Sequence, residues 1–350
     1  MSKKPLFSVS LVTWNGGELA ERCIESVLRQ PHDLFELIVV DNGSNDGSLA
    51  RIEARLNRAR EEGFSNRIRL VTNFTNTGYA SAQNRAFEHG TADYAFVLNQ
   101  DAELAPDLLE TLAGAIRRNP DTAMFAVKLL DASQEGVLDN VGLTFCADGQ
   151  NRGLAHGEKD SGRYEEVQEV FCPSGAAGVY RRKELEAAGG FDEDYFAYGE
   201  DFELGLRLRR MGARCLLVPH AEVTHQGSTT LGAASPKRLR LIERNRVWTL
   251  MKHWPLNRLA QAPGASVERF RAHWEQAQSG EGVAADFVSE RGLPALVGTT
   301  ASANLEALRG APKMLLKRAQ LAFQHPLSGR QLDEWIEDFG CTPGDLARGV

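Results

Sequence analysis

Two rhythms alternate along the first 130 residues. Short runs rich in apolar and β-branched residues, at 7–13, 35–40, 68–71 and 94–98, each break on a polar turn. Between them, apolar residues fall three and four apart. Ala20, Cys23, Ile24, Val27 and Leu28 do so within 18–30, then Leu49, Ile52 and Leu56, and a third such stretch covers 79–88. Strand and helix in turn, in units of about thirty residues, predict a central, mostly parallel sheet flanked by helices, a Rossmann-like α/β fold. A helix over 106–118 and a strand over 123–129 continue the pattern. From 131 to 170 the chain turns polar and rich in Gly and Asp, which predicts irregular or antiparallel structure. Order returns with a compact apolar segment at 171–180, a helix over 202–211 and a strand over 214–219. A basic helix follows over 236–252, carrying Arg244 and Arg246. Trp254-Pro255 marks a boundary, and the last stretch, 256–350, reads as mostly helical.

Length and composition narrow the class without naming a chemistry. The 350 residues fit about two domains, and 42% hydrophobic with 25% charged residues is ordinary for a globular chain. A net charge of -7 argues against broad binding to nucleic acid. A charged start followed by an apolar stretch is missing, and uncharged runs are too short for a membrane helix. Five scattered cysteines without a CxxC pair fit a reducing cytoplasm.

Several chemistries fail on their motifs. GxxxxGK[ST] and GxGxxG are missing, which removes a P-loop NTPase and leaves a nicotinamide enzyme as a weak alternative resting on Asp41 alone. Ser174 lacks a GxSxG elbow, and HExxH does not occur. What remains is a set of acids and one histidine at element ends. Asp41 follows the second strand, Asn99, Asp101 and Glu103 follow the fourth, Glu200 and Asp201 open a helix, and His225 follows a late strand. Ligands of open α/β sheets sit outside the carboxyl ends of the strands, where carboxylates can hold a hard cation. Each residue also has a plain structural use: Asp41 in a turn, Asp201 as a helix cap, His225 in the core.

Taken in order, these segments resemble the family-2 inverting glycosyltransferases of the GT-A fold, particularly the bacterial rhamnosyltransferase-like branch. The likeness runs from about residue 7 to 255. It is carried by Val12-Thr13-Trp14-Asn15, by Val40-Asp41-Asn42-Gly43-Ser44-Asn45-Asp46-Gly47-Ser48, and by Asn76-Thr77-Gly78-Tyr79-Ala80 with Asn84. Leu98-Asn99-Gln100-Asp101, Ser174-Gly175-Ala176, Gly190-Phe191-Asp192-Glu193, Glu200-Asp201 and His225 complete it. The resemblance implies a catalytic domain over 1–255, with a nucleotide-binding half (1–130) and an acceptor and catalytic half (131–255), followed by a helical extension over 256–350.

By the same resemblance, Thr13, Asn15 and Asp41 hold the base and ribose of a nucleotide-sugar donor (dTDP- or UDP-linked, plausibly rhamnose). Asn76 and Gly78 shape the floor beneath it, with Asn84 supporting that loop. Asp101 and His225 bind Mg2+ or Mn2+, and Asp201, paired with Glu200, is the catalytic base. Arg244 and Arg246 are candidates for the phosphates, and Tyr195, Phe196 and Tyr198 for stacking on sugar rings. The acceptor is expected to be a saccharide or a lipid-linked glycan in surface polysaccharide assembly. Asn99 departs from the family's Asp-x-Asp motif. It motivates the competing expectation of a sugar-nucleotide or glycan-binding protein that has lost catalysis. For the extension, packing on the catalytic domain is preferred, with peripheral contact to the inner face of the membrane or a homodimer left open.

Overall fold

One sheet fixes where the chemistry-bearing residues emerge. The computed structural model describes residues 4–227, 232, 234–278 and 283–348. Strands β1 (Phe7–Thr13), β2 (Phe35–Asp41), β3 (Ile68–Thr72) and β4 (Tyr94–Asn99) are parallel, joined by helices α1 (Gly17–Leu28), α2 (Ser48–Ala59) and α3 (Tyr79–His89). Along β2, Leu37 and Val39 pack on one face while Ile38 and Val40 pack on the other. Burial on both sides is why these strands read as continuous apolar runs. After β4 the chain makes the short β5 (Ala102–Leu104), helix α4 (Leu108–Arg118) and strand β6 (Met124–Asp131).

The second half is less regular. Small strands β7 (Leu138–Asn140), β8 (Leu143–Phe145), β9 (Asn151–Gly153) and β10 (Gln168–Val170) occupy the polar region and pair antiparallel, as its composition suggests. The apolar segment near 175 supplies β11 (Ala177–Arg181), which runs antiparallel between β4 and β6, so the sheet is mixed and mostly parallel, as expected. Helices α5 (Arg182–Ala188) and α6 (Glu200–Arg210) follow, then β12 (Cys215–His225), parallel to β6 and reaching six residues beyond the end its sequence pattern shows. The final order is β10-β12-β6-β11-β4-β1-β2-β3. Strands β1, β2, β4, β6 and β12 all end on one edge, so Thr13, Asp41, Asn99 and His225 emerge together.

Helix α7 (Pro236–His253) leads into the helical C-terminal region, α8 (Leu256–Leu259), α9 (Ala262–Gln278), α10 (Val283–Arg291), α11 (Leu293–Gln324), α12 (Gly329–Phe339) and α13 (Pro343–Arg348). These helices pack onto the rest of the chain. Trp248 of α7 is buried with Tyr195, Ala307 and Met314, and a Cβ at Gly310 would come within 2.5 Å of its ring, so glycine lets α11 close on α7. Trp335 and Phe339 of α12 lie edge-on to Phe171. Between α7 and α9, Asp148, Glu243, Arg246 and Arg269 form a buried ion network, with Arg269 2.7 Å from Asp148.

Candidate active site

The edge of the sheet opens into a cavity of about 1150 Å³. Strand β5 turns back and pairs antiparallel with the end of β12, setting His225 opposite Ala102. That register brings Asp101, in the turn before β5, to His225: Nε2 lies 3.3 Å from Asp101 Oδ1, off the line of a hydrogen bond. On its other side His225 Nδ1 is 3.0 Å from Asp139 Oδ2, and Asp139 also meets His156 at 3.2 Å. Burial opposes a charge on His225, but Asp101 and Asp139 outweigh it and push its pKa up to about 10. Burial likewise works against the Asp139 anion, yet His156 and His225 hold its carboxyl well below the usual range.

The pair fits part of a cation site once the imidazole gives up its proton, since a metal-ligating histidine is neutral. A carboxylate faces a ring nitrogen that makes no hydrogen bond, and Asp139 holds the opposite nitrogen, as an outer carboxylate commonly does for a metal-ligating histidine. Among the described residues no group of three His, Cys, Asp or Glu side chains is placed to hold an ion alone. Mg2+ in particular is usually bound by one or two protein groups plus substrate phosphates. Asn99 lines the cavity, whereas Glu103 pairs with Arg22 at 2.9 Å on the surface.

Across the cavity, Glu200 and Asp201 begin α6. Asp201 Oδ2 accepts the Gly175 N–H at 2.8 Å and Oδ1 accepts that of Phe202 at 2.7 Å. Burial pushes the Asp201 carboxyl above its ordinary value, and these two bonds offset only part of that rise. Glu200 Oε2 is buried without a partner, and burial followed by the neighbouring Asp201 charge pushes Glu200 up to about 8. Both carboxyls are raised, Glu200 far enough to keep its proton near neutral pH, while the two N–H bonds favour the anion at Asp201 over its neighbour. The loop before them is strained, with Phe196 and Tyr198 at φ 65° and 70°. It is clamped by Asn245, whose Nδ2 donates to the carbonyls of Tyr195, Ala197 and Tyr198 at 2.7–2.9 Å.

The side of the cavity at β1 and β2 is held from below. Thr13 Oγ1 donates to Gln100 Oε1 at 2.8 Å, and Asn15 exchanges bonds with Asn45, joining two turns. Asp41 is buried: Oδ2 accepts the Ser44 N–H at 3.1 Å, while Oδ1 has no partner. Asn76 lines the cavity and caps the Gly78 N–H at 2.9 Å. Gly78 has φ 90° and lies against Phe196, where a Cβ would clash at 2.6 Å. Asn84 does something other than support this loop. It clamps the 190–193 segment, donating to Phe191 O and accepting the Phe191 N–H. The loop is organised instead by Asn42, which accepts from Thr77 and Asn73 and donates to Gly78 O. A buried chain then crosses the cleft: Ser10 donates to Gln83, Gln83 to the Tyr79 hydroxyl, and Tyr79 to Gly175 O at 2.6 Å, next to Asp201.

The arginines divide unexpectedly. Arg244 points away from the cavity, bonded to Glu306 at 2.6 Å and Tyr195 O, and stacked on Trp248. Arg246 reaches the wall, but its guanidinium is taken by Asp148, Glu243 and Ser266. On α7 the cavity-lining cations with no carboxylate partner among the described residues are Lys237 and Arg238, about two turns earlier. They lie over the rings of Phe196 and Tyr198, and Arg238 Nε is buried without a hydrogen bond. Tyr195 is fully buried, its hydroxyl 3.0 Å from Thr249, so only Phe196 and Tyr198 of the aromatic trio face the cavity.

Residues 8–187 match the family model described as Glycosyl transferase family 2, just over half of the chain. The chain belongs to that family. An N-acetylglucosaminyl-diphospho-decaprenol L-rhamnosyltransferase of Mycobacterium tuberculosis is 27% identical over 253 residues, 64% of this chain and 77% of that protein. Among solved structures, the mannosyltransferase PcManGT of Pyrobaculum calidifontis, in complex with GDP-Man and Mn2+, superposes with a TM-score of 0.52. It is 19% identical and covers 92% of this chain and 88% of that one. S. aureus TarS 1-349 in complex with UDP-GlcNAc gives 0.55 at 15% identity, over 95% and 91%. At such identities these two likenesses speak to the fold alone, a GT-A-like sheet flanked by helices. Among the described residues no helix is long and apolar enough to cross a membrane.

Proposed function

We propose that this family-2 glycosyltransferase is an inverting hexosyltransferase. It transfers a sugar, rhamnose by its likeness to the M. tuberculosis relative, from a dTDP- or UDP-linked donor to a saccharide or lipid-linked acceptor of a surface polysaccharide. The observation that carries this reading is the meeting of Asp101 and His225 on the same cavity as Glu200 and Asp201. Asn42 and Asn76 on the cavity suit the nucleoside, with the buried, unpartnered Oδ1 of Asp41 behind them, and Lys237 and Arg238 suit the diphosphate. Asp101 and His225 would hold Mg2+ or Mn2+, which supplies charge stabilisation to the departing diphosphate.

The remaining steps belong to the side chains. Asp201, oriented by Gly175 and Phe202, takes the proton of the acceptor hydroxyl as its oxygen bonds to the anomeric carbon. The bond from that carbon to the phosphate oxygen breaks on the opposite face, and the nucleoside diphosphate leaves with the electron pair. Glu200, protonated near neutrality, keeps a second negative charge from competing beside Asp201. A thermal-shift screen of dTDP-, UDP- and GDP-sugars with and without Mn2+ tests the assignment. One nucleotide should raise the melting temperature, more strongly with the metal, and that sample should hydrolyse or transfer the sugar. Nucleotide binding with no turnover of any donor would support the non-catalytic alternative.

A further inference from the structure

The cavity has two halves of opposite character. One side carries the acids, His156, His225 and most of the asparagines, while Arg269, His273 and Asn304 sit on the other. The other is built by the C-terminal helices: Phe270 and Trp274 on one face of α9, Phe287 and Val288 of α10, and Leu296 and Val297 of α11. The polar side chains on the α11 part of this wall are turned to their own helix. Thr300 Oγ1 donates to Leu296 O at 2.9 Å, and Asn304 Nδ2 to Thr300 O at 2.8 Å. Phe270, Trp274 and Val297 nevertheless stay 43%, 50% and 61% exposed, which is unusual for apolar side chains gathered on one wall. A second hollow of about 360 Å³ shares Trp274, Ala277 and Val288 and emerges beside the exposed Asp286 and Ser289. Apolar surface thus continues from the catalytic acids to the outside.

An occupant of the whole cavity must bring a hydroxyl to Asp201 and hydrocarbon to this wall. A bare oligosaccharide fits poorly, because its hydroxyls would be desolvated against Val288, Leu296 and Val297 with no partner. We propose that α9, α10 and the start of α11 bind the hydrocarbon chain of a lipid-linked acceptor whose head group presents the reacting hydroxyl. The proposal rests on the transferase function above and narrows its acceptor to the lipid-linked class.

The test is calorimetric titration of the full chain with hexyl, octyl and decyl β-D-glucopyranoside below their micellar concentrations. Affinity should rise about two- to fourfold per methylene. The Trp274→Ser/Val297→Ser double variant, altered at two half-exposed positions, should lose that dependence while keeping its melting temperature. Equal affinity across the three chain lengths marks a saccharide site and overturns the proposal. So does a chain-length dependence that survives the double variant, because the hydrocarbon then binds elsewhere. A dimer that the double variant dissociates, with no chain-length effect, assigns the wall to a second copy and overturns it too. The nucleotide-induced thermal shift in the same samples is independent of all three results. Its loss counts against the transferase function, and its persistence beside a negative alkyl result counts against the lipid site alone.

Discussion

At the scale of single residues, the two neighbouring acids make opposite predictions. Asp201→Asn keeps an oxygen for the Gly175 or Phe202 N–H but cannot take a proton, so turnover should fall by about 10²–10⁴-fold. Nucleotide affinity, read by titration, should change little; wild-type turnover in this variant would remove Asp201 from the role of base. Glu200 makes its prediction through stability. Its carboxyl is raised from an ordinary value to about 8, so the folded state holds a proton that the unfolded state releases between these limits. Its contribution is fully present at acid pH and is lost as pH rises through about 8. Glu200→Gln removes that loss. Its melting temperature should gain on wild type between pH 6 and 9 (about 2–4 °C per kcal/mol) and show no such gain at pH 4. A parallel pair of curves would place the raised proton elsewhere. Asp101, His225 and Asp201 were legible in the sequence because acids at strand ends and helix starts are where an α/β sheet exposes them. Asp139 was not, since it sits in the irregular 131–170 region, where no periodicity says which way a side chain points.

At the scale of elements, the site depends on loops that other elements hold in unfavourable shapes. Asn245 is buried in α7 and supplies both amide hydrogens to three carbonyls of the loop preceding Glu200. Asn245→Ala leaves those carbonyls short of donors and frees Phe196 and Tyr198 from their left-handed conformations. Destabilisation of about 1–3 kcal/mol in urea is expected, with kcat falling more than nucleotide affinity. An intact kcat would mean the loop holds its shape without the clamp. The basic helix shows why its sequence does not say which of its cations are free to face the cavity. Helix α7 is covered on several faces, so Arg244 serves α11 through Glu306 and Trp248, and Arg246 joins Asp148 and Glu243. Only Lys237 and Arg238, near its first turn, are turned to the cavity with no carboxylate partner among the described residues. Charge spacing gives a helix its faces; the neighbours that claim each face come from elsewhere in the chain. Strand β11 was hidden for a related reason, because an apolar run has the same appearance in a parallel or an antiparallel position.

For the whole molecule, the question is whether the C-terminal helices are an appendage or part of the enzyme. Composition left them as amphipathic helices with three uses, and nothing local in 256–350 points to the cavity because its wall needs α9, α10 and α11 together. The buried network ties them in: Asp148, just before β9, receives Arg269 of α9 at 2.7 Å and Arg246 of α7 at 3.5 Å, all three at most 6% exposed. Asp148→Ala strands two guanidinium groups on Glu243 and should cost about 3–5 kcal/mol, measured by urea unfolding of the full chain. Removing residues 256–350 goes further. It takes away Arg269, uncovers Trp248 and Phe171, and opens one side of the cavity. If the helices were an appendage, the truncated chain would stay soluble and monomeric with donor hydrolysis unchanged. The packing predicts instead a chain that aggregates or melts well below wild type. Any soluble fraction should still respond to the nucleotide, because Asp41, Asn42 and Asn76 stand on the far side of the sheet edge, while transfer to an acceptor is lost. That split between retained donor binding and lost acceptor use would place the division of labour between the sheet and the helices.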